Sequence, residues 1–134
     1  RFKLCGMPVS LAVFSINLED REKELTNLDV FEIMACITKM KRPIDILGHF
    51  QTFEYAIALP NMGCRAAANV VNKIQAAMPT IKFKSGISSH DIRLDFGIAG
   101  IPEHCTKLGQ IIPAASQARK RAESSSANVV LYEA

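Results

Sequence analysis

The stretch RPID at residues 42–45, followed after five residues by QTFEY at 51–55 and AIALP at 56–60, decides the fold of this chain. Apolar and β-branched residues on both sides of the polar turn predict two strands, at 45–50 and 53–59, joined as a hairpin. Pro43 ends the helical pattern before them, because proline disfavours helix for Arg42 and lacks an N–H. A short hairpin between two central strands excludes a purely parallel sheet.

Helical and strand patterns alternate on both sides of this hairpin. Apolar residues at helical spacing predict three amphipathic helices, and short apolar or alternating runs predict the remaining strands. The fold class is therefore α+β, with one mixed sheet and helices packed on it. The predicted elements are a strand at 11–18, a helix at 28–40, a helix at 67–78, a short weak strand at 81–84, a strand at 91–101 with residues 92, 94 and 96 inward and 93 and 95 outward, a helix at 108–122, a turn at 124–126 and a strand at 129–132.

Length and charge limit the classes of function open to the chain. With 134 residues it forms one domain, large enough for a hydrophobic core. The net charge of +3 comes from basic residues scattered among acids, which argues against a nucleic-acid polymer and is compatible with a small anion. The apolar runs are far shorter than the ~20 residues of a membrane-spanning helix. Because the chain starts at Arg1, we expect a piece of a longer multidomain protein.

The cysteines and histidines do not have metal-ligand spacing. Cys5, Cys36, Cys64 and Cys105 lie far apart without a CxxC pair, and none of the three histidines has a partner at ligand spacing. Cys36 and Cys64 fall in or beside helical patterns and are interpreted as small core residues. Unpaired cysteines in a domain of this size indicate a reducing compartment, so we expect a cytoplasmic domain, free or attached to a membrane protein. We predict neither a metal nor a cofactor.

From Leu11 onward, the order and spacing of several segments resemble diguanylate cyclase (GGDEF) domains. The GGDEF turn falls on QTFEY, and the family's Asp-x-Asp strand end falls on Ser15-Ile16-Asn17. Further matches are DFGIA at 95–99 with the Ser-x-Gly strand, ASQA at 115–118 with the AD-x-A helix, and Ala122-Glu123 with Asn128 for the AK…GxN turn. The resemblance implies the nucleotide-cyclase palm, which is related to the ferredoxin-like arrangement.

The same resemblance implies that catalysis has been lost. Cyclases transfer phosphoryl groups between two facing GTP-loaded protomers, and several carboxylates must hold Mg²⁺ against the phosphates. Here Ser15 replaces the first metal-binding aspartate of the family, and Phe53 replaces the aspartate at the third position of the GGDEF motif. Glu54 is therefore the one carboxylate left. Glu123 and Ala127 stand where the family has a phosphate-binding lysine and arginine, and Glu123 would repel a triphosphate. We therefore expect no enzymatic activity.

The turn and the loop before it also depart from the family. Gln51 and Thr52 replace the two glycines that let backbone approach phosphate. The connection after the first strand is shorter than the guanine-binding loop of the family. For Glu54 the favoured interpretation is a carboxylate at the rim of the hairpin, and for Phe53 and Tyr55 it is packing rather than base stacking.

The ligand-binding residues of the family, in contrast, are retained. An Arg-x-x-Asp pair stands five residues before the turn, as in the family's inhibitory site, on Arg42 and Asp45. The resemblance places a third basic residue of that site on the following helix, at Lys73. Arg42 can fork onto phosphate or guanine acceptors, Asp45 can accept from guanine, and Lys73 can add a cation. The alternative is that Arg42 complements the dipole of its own helix and Asp45 opens a strand.

Three functions are open at this stage. The first is an inactive GGDEF-like receptor that binds cyclic di-GMP through Arg42, Asp45 and Lys73 and signals to a partner, as do relatives that control exopolysaccharide export. The second is an interaction module that binds no nucleotide and forms a homodimer or docks a partner domain. The third is a regulatory module that binds GTP, against which Ser15, Phe53 and Glu123 argue.

Overall fold

Five strands form one sheet in the computed structural model, which describes residues 7–20, 22–51, 54–125 and 127–133, with only the backbone of residues 50 and 51. Three helices pack on the sheet, and 3₁₀ turns at Met78–Thr80 and Ser89–Asp91 lie between the second helix and the fourth strand. The elements in chain order are β1 Val9–Leu18, α1 Asn27–Met40, β2 Ile46–Gln51, β3 Glu54–Pro60, α2 Cys64–Ala77, β4 Ile92–Ile101, α3 Leu108–Ser125 and β5 Val129–Leu131.

The strand order is β2-β3-β1-β4-β5, and the sheet is mixed. β1 lies between β3 and β4 and pairs antiparallel with both, while β5 runs parallel to β4. The first four strands thus have the ferredoxin-like order, and the predicted α+β fold is confirmed. β2 and β3 pair antiparallel as the predicted hairpin, with a register shift between His49 and Gln51.

Both faces of the sheet are covered by helices. α1 and α2 bury one face around Phe14, Phe96 and Ile57, and α3 packs on the other face against Leu11 and Val13. Gly97 in β4 lets α3 approach closely, because a Cβ at this position would overlap backbone atoms of the helix. α3 therefore lies against the central strands, where its side chains reach the ends of β1 and β3.

The start of α1 is fixed by a capping box. The Thr26 hydroxyl accepts from the Asp29 N–H at 3.1 Å, and the Asp29 carboxylate accepts from the Thr26 N–H at 2.9 Å. These two bonds satisfy backbone donors that a helix start leaves free. Asp29 also accepts from the Ser85 hydroxyl at 2.6 Å, which ties the α2–β4 connection to α1.

Two details of the sequence interpretation were wrong. Residues 81–84 form no strand; Ile81 and the buried Phe83 pack against the core from a turn, in which Gly86 takes a φ of 88°. The alternation of apolar and polar residues at 81–84 thus reflects the packing of a connecting segment against the core and not pairing in the sheet. Asp95 does not face solvent but is fully buried, because α3 covers the second face of β4.

The ends of the last elements also differ from the expectation. α3 extends through Ser125, into the predicted turn, and β5 ends at Leu131. In the part of the chain that the structure describes, no helix has the length and apolar character needed to cross a bilayer.

Candidate functional site

A tight turn at residues 42–45 joins the end of α1 to the start of β2. The N–H of Lys41 donates to the Ile37 carbonyl at 3.0 Å and closes the helix, and Pro43 prevents its continuation. The N–H of Asp45 then donates to the Arg42 carbonyl at 3.0 Å. Arg42 and Asp45 are held side by side at this end of the sheet.

The two side chains form an ion pair with each other. Nη2 and Nε of Arg42 donate to Oδ1 of Asp45 at 2.7 and 3.0 Å, and the backbone N–H of Arg42 donates to Oδ2 at 2.8 Å. The Asp45 side chain is 1% exposed, whereas that of Arg42 is 38% exposed. The carboxylate therefore lies under the guanidinium, and only Arg42 presents a surface to solvent.

Further contacts fix the turn on the rest of the fold. Nη2 of Arg42 also donates to the Pro60 carbonyl at the end of β3, at 2.8 Å. The Lys41 ammonium donates to the Asp45 carbonyl at 2.8 Å and to the Arg42 carbonyl at 3.4 Å. Among the described residues, Nη1 of Arg42 has no hydrogen-bond partner. The guanidinium is thus immobilised on one edge and open on the other.

Lys73 lies on an exposed part of α2, as predicted. Along β1, Pro60, which Arg42 contacts, is opposite Val9, whereas Leu94 is opposite Ile16. These β1 positions are separated by about 23 Å at ~3.3 Å per residue and mark the two ends of the sheet. The structure thus brings Arg42 and Asp45 together at one end, and the part of Lys73 in a ligand site stays a prediction.

At that far end, a polar cluster occupies the place of the catalytic residues implied by the resemblance. The Ser15 hydroxyl and the Asn17 amide both donate to Oε2 of Glu123, at 3.0 Å each. Asn17 also donates to the buried carboxylate of Asp95 at 3.1 Å, and Arg93 donates to the same carboxylate at 2.8 Å. The Glu123 carboxylate is therefore bound internally, to Ser15 and Asn17 at the end of β1.

Glu54 lies at the same end of the molecule, and both oxygens of its carboxylate also accept hydrogen bonds from the protein. Nε of Arg119 donates to Oε2 of Glu54 at 2.5 Å, and the Ser116 hydroxyl donates to Oε1 at 3.1 Å. The side chains of Glu54 and Arg119 are 10% and 9% exposed. Glu54 is thus buried and not at the rim of the hairpin, because α3 lies over the start of β3. Its negative charge is balanced by a guanidinium from the protein itself.

The sequence interpretation did not identify Arg119. The signal was present, since Arg119 lies four residues after Ala115 and three before Ala122, on the apolar stripe of α3. A charged residue on a buried stripe requires a buried partner. That partner, Glu54, is 65 positions away in sequence, and only the packing of α3 on the sheet reveals it.

The hydrogen bonds around Glu123 make the stability of this cluster depend on pH. Burial alone would raise the pKa of this carboxyl, but hydrogen bonds from Asn17 and Ser15 and the guanidinium of Arg119 bring the pKa below its usual 4.5. A lowered folded-state pKa stabilises the protein above the unfolded-state value, and the gain is lost as pH falls through the folded-state value. We expect Glu123→Gln to lower the melting temperature most above pH 4.5 and progressively less in acid. A melting difference that grows on acidification would contradict this.

A cleft of about 740 Å³ opens beside this cluster, lined by Asn17, Glu19, Lys23, Arg93, Lys120 and Glu123. Its lining contains both acidic and basic side chains. Within the described residues, no group of three or more histidine, cysteine or acidic side chains is arranged to hold a metal ion.

The structure describes only part of the QTFEY turn at residues 51–55. Thr52 and Phe53 lie outside the described residues, as does the side chain of Gln51, so their predicted effects on phosphate and metal binding stay predictions. Tyr55 stacks on Phe14 and His49, with ring centroids 5.5 and 4.6 Å apart. Packing in the hairpin is therefore the role of Tyr55, as predicted.

The described cysteines are free thiols. Cys64 and Cys105 are buried, and the partly buried Cys36 packs against the core, while Cys5 lies outside the described residues. Burial raises the pKa of the Cys64 thiol to about 11, so it remains protonated at neutral pH. The interpretation of Cys36 and Cys64 as core residues is confirmed.

Solved structures with the same arrangement are known. A GGDEF and EAL domain protein from M. capsulatus matches with a TM-score of 0.79 at 21% identity, over 100% of this chain and 90% of that one. The GGDEF domain of PA1120 (YfiN or TpbB) from Pseudomonas aeruginosa matches with a TM-score of 0.78 at 22% identity, over 96% and 84%. The chain has the GGDEF-domain fold.

A third match with the GGDEF fold is the domain of DgcB from Caulobacter crescentus in complex with c-di-GMP. It has a TM-score of 0.72 at 16% identity, over 95% of this chain and 79% of that one. No protein-family model matches the chain, and no curated protein matches it in sequence. The chain is thus similar to these proteins in its GGDEF fold. Its function has to be inferred from its own site residues.

Proposed function

We propose that this chain is a catalytically inactive GGDEF-fold receptor that binds cyclic di-GMP at the Arg42–Asp45 turn and passes the signal to a partner protein. The observation that carries the proposal is the Arg42 guanidinium, fixed by Asp45 and Pro60 and still 38% exposed. An immobilised guanidinium loses little conformational entropy when it binds an anion. The c-di-GMP complex of DgcB, which shares the fold, supports the choice of ligand.

We propose the absence of catalysis because of the contacts made by Glu54 and Glu123 at the other end of the sheet. Mg²⁺ needs oxygen ligands in near-octahedral geometry and gives up its water reluctantly. Glu54 is paired with Arg119, and Glu123 is bound to Ser15 and Asn17, so neither carboxylate is available without breaking internal contacts. Glu123 also places a negative charge where a triphosphate would lie.

Calorimetric titration of the unmodified protein with cyclic di-GMP tests the receptor proposal. Reversible, saturable heat with cyclic di-GMP, and none with GTP and Mg²⁺, is the expected result. Saturable binding of GTP that requires Mg²⁺ would instead support a GTP-binding regulatory module.

The second candidate function is an interaction module that binds no nucleotide. It is favoured by the exposure of Phe31 on α1 and Ile46 on β2, each 68% accessible. The absence of heat with cyclic di-GMP at any concentration would select this candidate and refute the receptor.

We expect the unmodified protein to make no cyclic di-GMP from GTP with either Mg²⁺ or Mn²⁺. Glycine at positions 51 and 52 should not restore activity, because Glu123 and the shortened loop remain. Separation of the reaction products by chromatography is the measurement, with an active cyclase as positive control. Detectable product from the unmodified chain would refute the proposed loss of catalysis.

Lys73 is expected to contribute less than Arg42, because it is an exposed point charge on α2. Its contribution should fade with salt, since charges are screened within ~8 Å at physiological ionic strength. Lys73→Ala should weaken cyclic di-GMP binding modestly at low salt and less at physiological salt, while Lys73→Glu should weaken it more. Calorimetry at two salt concentrations measures both.

The control for this series is Lys39→Ala, on the exposed end of α1. Lys41 would be unsuitable as a control, because its ammonium donates to the carbonyls of Arg42 and Asp45 in the turn. Equal losses from Lys39→Ala and Lys73→Ala would mean diffuse electrostatic attraction rather than a formed pocket.

A further inference from the structure

β2 is an outer strand of the sheet, and its free edge lacks the features that usually protect such an edge. The strand Ile46–Gln51 is six residues long and contains no lysine, arginine, aspartate, glutamate or proline. Natural edge strands are kept from pairing with other chains by charged residues, by proline or by being very short. A register shift between His49 and Gln51 distorts one end of β2, so its regular part is residues 46–49.

The opposite edge of the sheet, at β5, is protected. β5 is only three residues long, at Val129–Leu131. Immediately after it, Nη1 of Arg121 donates to the Glu133 carbonyl at 3.1 Å. The two edges therefore differ, and β2 is the one that offers a template for a further strand.

Part of the backbone of β2 points away from the sheet. In an antiparallel ladder only alternate residues exchange hydrogen bonds with the neighbouring strand. Among the described residues, Ile46, Leu47 and Gly48 have no hydrogen bond other than those of the ladder to β3. The outward N–H and C=O groups can therefore pair with a strand from another molecule.

Ile46 and Gly48 form a projection and a gap on the same face of β2. They lie opposite Ala58 and Ala56 of β3, which pack on the α3 side of the sheet. Ile46 is 68% exposed. Apart from the chain neighbours of Gly48, no described atom lies within 4 Å of the position that a Cβ of this residue would take. An exposed apolar side chain thus stands two residues away from an open space on its own strand.

We propose that β2 pairs antiparallel with β2 of a second copy of this chain, about a two-fold axis at Leu47. Side chains alternate between the two faces of a strand, so a residue must lie on the axis if both copies present the same face. With Leu47 on the axis, Ile46 of each copy stands opposite Gly48 of the other and fills the open space there. The contact is self-complementary, as a two-fold interface requires.

Charge favours a second copy over a foreign strand. In a two-fold pair each residue meets a residue of the same strand, so a charged strand would repel itself, and β2 carries no such charge. The net charge of +3 opposes association only weakly, because exposed charges are screened within ~8 Å at physiological ionic strength. Since the paired segment is short, the dimer should dissociate on dilution. It requires no nucleotide, so its test is independent of the proposed function.

Sedimentation velocity over a dilution series tests the association. We expect the unmodified chain to change on dilution from twice the mass of one chain to the mass of one chain. Ile46→Lys should weaken dimerisation by about tenfold or more, because it removes an apolar contact and places a lysine on the edge. Leu131→Lys, the matched change on the other edge strand, should leave dimerisation unchanged, as should Ile112→Lys on the exposed flank of α3.

Disulfide trapping tests the register of the two strands. Ile46→Cys and Gly48→Cys are prepared separately and oxidised alone or as a mixture, with the unmodified chain in parallel. In the proposed register, positions 46 and 48 of different copies have Cα atoms about 5 Å apart, whereas two positions 46 are about 8 Å apart and too distant for a disulfide. A linked dimer should therefore form in the mixture and not from either variant alone. Melting curves establish that each variant is folded.

Three results would overturn the inference. The unmodified chain could sediment as a single chain at every concentration, which would mean that the edge of β2 stays unpaired. Ile112→Lys rather than Ile46→Lys could abolish the dimer, which would place the interface on the flank of α3. Either cysteine variant alone could be linked as fully as the mixture, which would mean that the strands do not meet with Leu47 on the axis.

Discussion

Replacement of Arg42 by alanine is expected to weaken cyclic di-GMP binding by about 5- to 150-fold, since loss of an arginine contact of this kind costs about 1–3 kcal/mol. No other described side chain of the turn offers free guanidinium donors to the ligand. Calorimetry of the variant beside Lys39→Ala measures the effect. If the binding isotherm of the variant is unchanged, cyclic di-GMP binds at a site other than the Arg42–Asp45 turn.

The variant also removes the partner of a buried carboxylate, so its fold must be checked independently. Asp45 would keep the backbone N–H of residue 42 but lose the guanidinium. The double variant Arg42→Ala/Asp45→Ala removes both charges and avoids an unpaired buried one. It should be more stable than the single variant in thermal melting and should bind cyclic di-GMP no better. Recovery of affinity in the double variant would show that the single variant fails through misfolding.

Replacement of Arg119 by alanine should lower the free energy of unfolding by about 3–5 kcal/mol, because it leaves the buried Glu54 without its cation. The Ser116 hydroxyl would remain as a hydrogen-bond donor to Glu54. Glu123 would lose a second contact, at 3.4 Å from Nη1 of Arg119. Urea denaturation measures the change.

The matched control is the double variant Arg119→Met/Glu54→Gln, in which no unpaired charge is buried. It should recover most of the lost stability, since replacing a buried ion pair by neutral groups is often tolerated. A single variant as stable as the unmodified protein would mean that water reaches Glu54.

The Arg119–Glu54 pair and the Arg42–Asp45 turn show how differently two sites can depend on the rest of the chain. The turn is local: Pro43 and two charged residues three positions apart determine it, and the sequence placed it between α1 and β2. The buried pair is not local, because its partners lie 65 positions apart and meet only when α3 packs over β3. Sequence patterns describe the first kind of contact much better than the second.

By itself, the sequence determined the α+β class, the hairpin, most of the helices and strands, and the Arg-x-x-Asp turn. It could do so because these features follow from hydrophobic periodicity and from proline, which act within a few residues. Tertiary structure decided the burial of Asp95, the absence of a strand at 81–84 and the pairing of Glu54 with Arg119. Each of these depends on which face of the sheet a helix covers, and that is fixed by contacts between residues distant in sequence.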